Sequence, residues 1–248
     1  PVADMHFADF IGVCMDEVFN QMAKVRFMFG GQCKVPMVLR APDGIIRSAA
    51  AQHSQSVEAW FMHIPGVKVV IPSNPADAKG LLKAAIRSDD PVLYFEHKVL
   101  FPMKGPVPDG DHIVPIGKAN VSRAGKDVTI VSYSLMMHRA LEAAEKLAAE
   151  GVQAEVIDLR TISPIDKETI FESVRKTKRL VIVHEAVKQG GVGAEISALV
   201  AEEMIDWLDA PIRRIGAPFV PVPFSPPLEQ LVKISADNIV KTVKEICR

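Results

Sequence analysis

Cysteine is scarce and scattered, with Cys14, Cys33 and Cys247 the only three in 248 residues. An odd set so widely spaced lacks metal-ligand spacing, and it fits a reducing compartment rather than a disulfide scaffold. Net charge is almost absent too, since 29 Lys and Arg stand against 30 Asp and Glu. Without a basic excess, nucleic acid is not an expected partner. No apolar run approaches the ~20 residues of a membrane helix, and no secretory leader is visible, so no membrane contact is expected. The sequence begins at Pro1 rather than Met and reads as a partial or processed chain. A nucleophile elbow, an HExxH helix and a Cys/His cluster are all missing. The one glycine-rich strand-to-helix turn, Gly190-Gly191-Val192-Gly193, lacks the spacing of a phosphate cradle and reads as a tight turn.

What remains is ordinary globular material, 48% hydrophobic and 24% charged, long enough for one large domain or two of usual size. Between Phe101 and Gly110, three prolines and two glycines in ten residues exclude a helix or a central strand. This stretch reads as a linker. Before it, Ile11–Phe29 reads as a helix, with Val18, Met22, Val25 and Met28 at spacings of three and four and Gly30-Gly31 as its stop. Val35–Arg40, Val67–Ile71 and Pro91–Phe95 read as buried strands. Asn74 and Pro75 start a helix that runs to Ile86. After the linker the same grammar returns. Val128–Val131, Ala154–Asp158 and Leu180–Val183 are expected strands; Met137–Glu150 and Ala194–Ile205 are expected helices; Ser163-Pro164-Ile165-Asp166 starts another. Strand alternating with helix implies two α/β units with mostly parallel sheets.

Seven histidines are candidates for chemistry. His53 lies in a loop of small and polar residues just after a strand and turn, where open α/β sheets gather their ligands. It is either placed for proton transfer or is a helix-entry residue beside a capping Ser54. His184 follows a strand and is also a loop candidate. His63, His97, His112 and His138 read as surface or packing residues. Phe7 and Phe10, around His6, read as core on composition alone.

The string Ala51-Gln52-His53-Ser54-Gln55-Ser56, followed by His63-Ile64-Pro65-Gly66-Val67-Lys68-Val69-Val70-Ile71-Pro72-Ser73, resembles the β subunit of the E1 component of 2-oxo acid dehydrogenase complexes. These are thiamine-diphosphate enzymes of the transketolase superfamily. Phe7-Ala8-Asp9-Phe10, Gly30-Gly31, Ala76–Leu81, Ile157–Thr161 and Pro221–Ser225 extend the likeness from Pro1 to Arg248. It implies an α/β fold of two domains, each a mostly parallel sheet flanked by helices. Residues 1–105 would be a pyrimidine-binding domain lacking its N-terminal part, 106–118 a linker, and 119–248 a transketolase C-terminal domain.

The resemblance also assigns roles. His53 matches the histidine that faces substrate and reaction intermediates, and Phe10 the aromatic residue that stacks on the aminopyrimidine. An E1 α subunit is implied, gripping the diphosphate through Mg2+, because no GDG…N motif is present. A second β subunit and the lipoyl-bearing E2 acyltransferase are the other implied partners. A structural K+ is implied at Met37, Ala85, Ile86, Ser88 and Asp90, with Ser88 standing where some relatives have an aspartate. The family's thiamine-activating glutamate lies upstream of the stretch that Pro1 begins, so residues 1–248 by themselves are expected to be inactive. A bacterial-type cytoplasmic or a mitochondrial-matrix location is expected.

Pyruvate is the leading substrate on this reading, oxidatively decarboxylated with transfer of the acyl group to lipoyl-E2. Arg47 and Phe27-Met28-Phe29-Gly30-Gly31 are reminiscent of acetoin dehydrogenase β subunits, which makes acetoin the alternative. Branched-chain 2-oxo acids come third. A non-catalytic scaffold of the same fold is the reading from a different class, and transketolase or deoxyxylulose-phosphate synthase a further enzyme reading.

Overall fold

The computed structural model describes residues 1–247. The first half contains β1 (Val2–Asp4), helical turns ending in α1 (Val25–Met28), β2 (Val38–Asp43), α2 (Glu58–Met62), β3 (Lys68–Val70), α3 (Pro75–Ile86) and β4 (Val92–His97). The second half contains β5 (Asn120–Arg123), β6 (Val128–Ser132), α4 (Leu135–Ala149), β7 (Ala154–Asp158), β8 (Thr161–Ser163), α5 (Lys167–Thr177) and β9 (Leu180–Val187). It continues through α6 (Val192–Met204), β10 (Arg213–Ala217), α7 (Pro226–Val232) and α8 (Ala236–Ile246). Two five-stranded sheets result, ordered β1-β2-β4-β3-β8 and β10-β9-β6-β7-β5. Four strands of each are parallel; β8 and β5 run antiparallel at one edge. Residues 101–119 carry no helix or strand.

Parallel strands covered on both faces must be apolar along their length. β6 and β7 accordingly bury every residue. β2 contains Pro42, which has no N–H to give a ladder. Arg40 faces β1 and accepts from Met5, so Pro42, two residues on, faces the same side beyond the end of β1. The missing donor therefore costs nothing. Asn74 caps α3 by accepting from the Asp77 N–H at 2.9 Å, with Pro75 at the first helical position.

Several boundaries differ from those the sequence predicts. The expected helix 11–29 is broken into a 3-10 stretch (Ala8–Cys14), a π-turn (Glu17–Met22) and the single turn of α1. This segment is rich in β-branched and aromatic residues, which hold helix poorly. Its apolar stripe is also divided: Val18 and Met22 are buried, while Phe27 and Met28 face outward. The wide turn at Ala23, whose N–H reaches back to Val18, makes that switch. Ser163 does not begin a helix. It ends β8, and Asp166 caps α5 instead, accepting from the Thr169 N–H and hydroxyl. His184 is not in a loop, because β9 continues to Val187 and buries the ring completely. The short edge elements β1, β5 and β10, and helices α2, α7 and α8, were not anticipated.

The two halves share a seam. β8 belongs to the second half but pairs with β3 of the first sheet, Val70 opposite Thr161 and Val69 opposite Ser163. Beside it, Arg160 clasps Asp77 through a hydrogen bond of 3.0 Å from Nε and an ion-pair contact of 2.9 Å from Nη2. Asp158 is bonded to the Ser73 hydroxyl, and the His138 ring to the Ser73 carbonyl at 2.7 Å. Burial pushes the Asp158 carboxyl up to about 7, with Asp77 acting in the same direction and Ser73 and Arg160 against it.

Between the unfolded value near 4 and about 7, the folded chain holds a proton on Asp158 that the unfolded chain has lost. This group's stabilisation is complete below the lower value and is lost as pH rises through the upper one. Thermal unfolding from about pH 5.5 to about pH 8 is expected to show a fall of about 2 kcal/mol from Asp158 alone. Asp158→Asn stays uncharged throughout and is expected to lose that share of the slope; an unchanged slope would show that Asp158 is ionised across the range.

Candidate functional site

The 3-10 stretch Ala8–Cys14 buries Ala8 and Ile11 and so turns Phe10 outward, 38% exposed. His53 meets it there. The two ring centroids lie 5.2 Å apart, edge to face at 74°, and Phe7 contacts the imidazole at 5.0 Å and 82°, with the two phenyl rings themselves 6.3 Å apart, so the three rings form a triangle. An imidazole packed edge to face against two aromatic rings is fixed in direction without spending its nitrogens on the chain. Thus the two residues singled out from the sequence are adjacent, and the core reading of Phe10 does not hold.

Polar contacts staple this edge together. The Asp9 carboxylate accepts from both the backbone N–H and the side-chain amide of Gln55, at 3.0 and 2.9 Å. Its other oxygen is buried without a partner. Lys98 donates to the His53 carbonyl at 2.7 Å and lies 4.9 Å from the Phe7 ring centroid. Burial pulls the Lys98 amine down, while Asp9, Asp43 and Glu185 pull the other way. Arg47, on the same loop, is exposed and lies in the field of Glu229 beside a different cavity.

Behind the loop lies a buried cluster that straddles the seam. Glu185 accepts from the Ile45 N–H and from His97 Nε2, both at 2.8 Å. His97 Nδ1 in turn accepts from the Val99 N–H. Tyr133 donates to Glu58 at 2.6 Å. Burial pushes the Asp43 carboxyl up to about 7, opposed by His97 and Lys98 and reinforced by Glu58 and Glu185. Burial pushes Glu58 up as well, against its bond from Tyr133. Sequence reasoning passed over this cluster. One signal was available: Glu58 sits between Val57 and Ala59-Trp60-Phe61, a charge inside an otherwise apolar run.

The five positions proposed for K+ surround charges already satisfied. Asp90 is paired with Arg26 and Lys68, and Lys68 also donates to the Ser88 hydroxyl at 2.9 Å. The Met37 carbonyl accepts from Val92, and the Ala85 carbonyl from Ser88. Ile86 is exposed at the end of α3. Among the described residues, no group of three or more His, Cys, Asp or Glu side chains is arranged to hold a metal. No described helix is long and apolar enough to cross a membrane.

Comparison with known proteins agrees with this architecture. Residues 1–104 match the transketolase pyrimidine-binding domain and residues 117–239 the transketolase C-terminal domain. The acetoin:2,6-dichlorophenolindophenol oxidoreductase subunit beta of Cupriavidus necator is 52% identical over 245 residues, covering 99% of the chain and 72% of the relative. The 2-oxoisovalerate dehydrogenase subunit beta of Bacillus subtilis is 44% identical over 248 residues, covering 99% and 76%. Mitochondrial pyruvate dehydrogenase E1 component subunit beta-2 of Oryza sativa is 46% identical over 251 residues, covering 100% and 67%. A solved structure described as a split gene transketolase, inactive beta4 tetramer, superposes with a TM-score of 0.81 at 27% identity, covering 100% of this chain and 75% of the other.

Gly44 joins β2 to the His53 loop at φ +81°, a left-handed conformation. A Cβ there would lie 2.1 Å from His97 Nε2 and 2.7 Å from the Glu185 carboxylate. Gly44→Ala is therefore expected to cost about 3 kcal/mol through strain and displacement of the buried pair. For a chain this long that is roughly 6–12 °C in unfolding temperature. An unchanged midpoint in a thermal melt would show that the cluster relaxes freely.

Proposed function

The chain belongs to the family of transketolase-fold β subunits found in the E1 components of 2-oxo acid and acetoin dehydrogenases, and from that we propose that it is the β half of a thiamine-diphosphate-dependent E1 that oxidatively decarboxylates pyruvate. The observation that carries this reading is the Phe10–His53 edge: an exposed aromatic face beside an imidazole whose backbone is pinned by Lys98. A flat apolar face suits the aminopyrimidine of thiamine diphosphate, and the residues present fit that part of the cofactor. Among the described residues, no group of three or more His, Cys, Asp or Glu side chains is arranged for Mg2+, which on this reading an E1 α subunit holds together with the diphosphate. The domain division proposed is 1–105 for pyrimidine binding, 106–118 as linker, and 119–248 as the C-terminal domain, which docks a second β subunit and the E2 acyltransferase. A K+ ion would draw on the Met37, Ala85 and Ile86 carbonyls with Ser88 and Asp90, whose side chains Lys68 already engages.

When bound, thiamine diphosphate supplies a nucleophilic carbon and a sink for the electrons released as the substrate's C–C bond breaks. This chain's contribution is orientation and proton control. Phe10 holds the flat ring in one plane. The His53 imidazole, packed against Phe7 and Phe10, donates a hydrogen bond to oxygen as negative charge develops on it and carries protons during acyl transfer to a lipoyl group.

A second reading is favoured by a specific observation. Two acetoin-type β subunits are 52% and 50% identical to this chain, against 46% for the rice pyruvate-type subunit. Acetoin cleavage would use the same edge, and an E1 cutting acetoin would share the chemistry of the two-carbon fragment.

Dye reduction by the chain, extended upstream to its natural start and copurified with its α subunit, given thiamine diphosphate and Mg2+, separates these readings across pyruvate, branched-chain 2-oxo acids and acetoin. Turnover of pyruvate supports the first reading, and turnover of acetoin alone the second. His53→Ala is expected to lower kcat by about 10²–10⁴ with cofactor still bound, while Phe10→Ala is expected to raise the cofactor concentration needed for half-maximal rate. Retention of α subunit and cofactor with no turnover across the panel would overturn both readings in favour of another substrate, and no turnover with neither α subunit nor cofactor retained would leave the scaffold.

A further inference from the structure

The loop that carries His53, residues 44–57, has no helix or strand of its own, and Ser48 and Ala50 in it adopt φ of +56° and +61°. Such a segment does not hold one shape by local preference. It is held from outside, and much of the hold comes from the other half of the molecule. At its base, Ile45 donates to Glu185 on β9. In its middle, Ser48 donates at 2.7 Å to Glu229 on α7. At its far end, Glu58 is tied to Tyr133, between β6 and α4. From the first half come the hydrogen bonds of Lys98 and Asp9 and the packing of Phe7 and Phe10 on the His53 ring.

We propose that Glu185 is a positioning residue for His53: paired with His97, it latches the base of the His53 loop to the second sheet, so the C-terminal domain sets the direction of the imidazole. One geometric detail makes the latch specific. The same carboxylate oxygen of Glu185 accepts from both Ile45 and His97. It therefore ties the loop, the end of β4 and β9 at a single point, and an uncharged amide oxygen in that place can do the same. This inference rests on the proposed role of His53 and extends it to a residue in the other sheet.

The latch has a neighbour that titrates. Asp43 ends β2, immediately before the loop, and faces His97 and Lys98 from the end of β4, Glu185 from β9 and Glu58 from α2. Asp43, Glu58 and Ser134 each have one buried oxygen without a partner, and all three line a cavity of about 10 Å3, the size of one water molecule. Ionising Asp43 adds a buried negative charge beside Glu58 and Glu185, with His97 and Lys98 as the facing basic groups. The latch is then expected to loosen as pH rises through about 7, the value to which burial pushes Asp43.

The test uses the assembled complex of the chain, extended upstream to its natural start, with its α subunit and compares wild type, Glu185→Ala, Glu185→Gln and Asp43→Asn. Hydrogen exchange read by mass spectrometry, corrected for intrinsic rates, is expected to quicken about tenfold over residues 45–56 in Glu185→Ala, with α4 and α5 unchanged. Glu185→Gln is expected to restore protection, because its amide oxygen replaces the shared acceptor. Wild-type exchange in the loop is expected to rise between about pH 6.5 and about pH 8, and Asp43→Asn to remove that rise. In turnover, Glu185→Ala is expected to lower kcat about tenfold or more with KM little changed, since the bond it loses orients rather than binds. Equal protection of residues 45–56 in wild type and Glu185→Ala would overturn the proposal, as would loosening spread evenly through α4 and α5. The exchange measurement needs no turnover, so failure of the substrate assignment and failure of the latch give different results.

Discussion

Glu185, Asp43, Glu58 and Asp158 are carboxyl groups kept out of water where two sheets meet, and the rest of the molecule is arranged around that burial. A carboxylate moved into a low-dielectric interior loses several kcal/mol of hydration and recovers it only where donors are already in place. Here the donors come from across the seam. His97 and Ile45 reach Glu185 from the first sheet, Tyr133 reaches Glu58 from the second, and Ser73 serves Asp158. Neither sheet can satisfy these groups alone. Docking of the two halves is therefore a condition of their burial, and the His53 loop is anchored to two of the same groups, Glu185 and Glu58.

The opposite edge is built on another logic. Phe10 lies open beside His53, and the broken helical segment that follows exposes Val13, Phe27, Met28 and Phe29. Large apolar side chains turned outward are costly unless something covers them. On the function proposed above, this uncovered aromatic face is one side of a site that the α subunit would complete. The irregular backbone is what allows this. A regular α-helix would place Val18, Met22, Val25 and Met28 on one stripe and bury them together, whereas the π-turn sends the second half of the stripe to the surface.

Much of the fold was legible because its signals are local. The strand at Ala154–Asp158 appears with the bounds its apolar run predicts, and α3 starts at the proline the sequence marks. Departures occur where a distant contact overrides a local preference. Ser163 carries a capping signature yet pairs with Val69 in the other sheet. His184 follows four apolar residues, as a loop residue can, yet β9 runs on because β10 pairs with it as far as Val187. In the candidate site, His53 was readable from its loop and Phe10 only through family resemblance. Glu185 and His97 were not readable at all: 88 positions separate them, and only the folded chain brings them to 2.8 Å.

The pairing of β8 with β3 bears on how the chain is born. Val69 waits for a partner some ninety residues further along, so the first sheet leaves the ribosome with one edge unfinished. Throughout synthesis of the intervening α/β segments, the backbone groups of that edge are free to join the wrong strand. The first half of this polypeptide thus has no finished form of its own during translation, and its quality control depends on a three-residue strand made late.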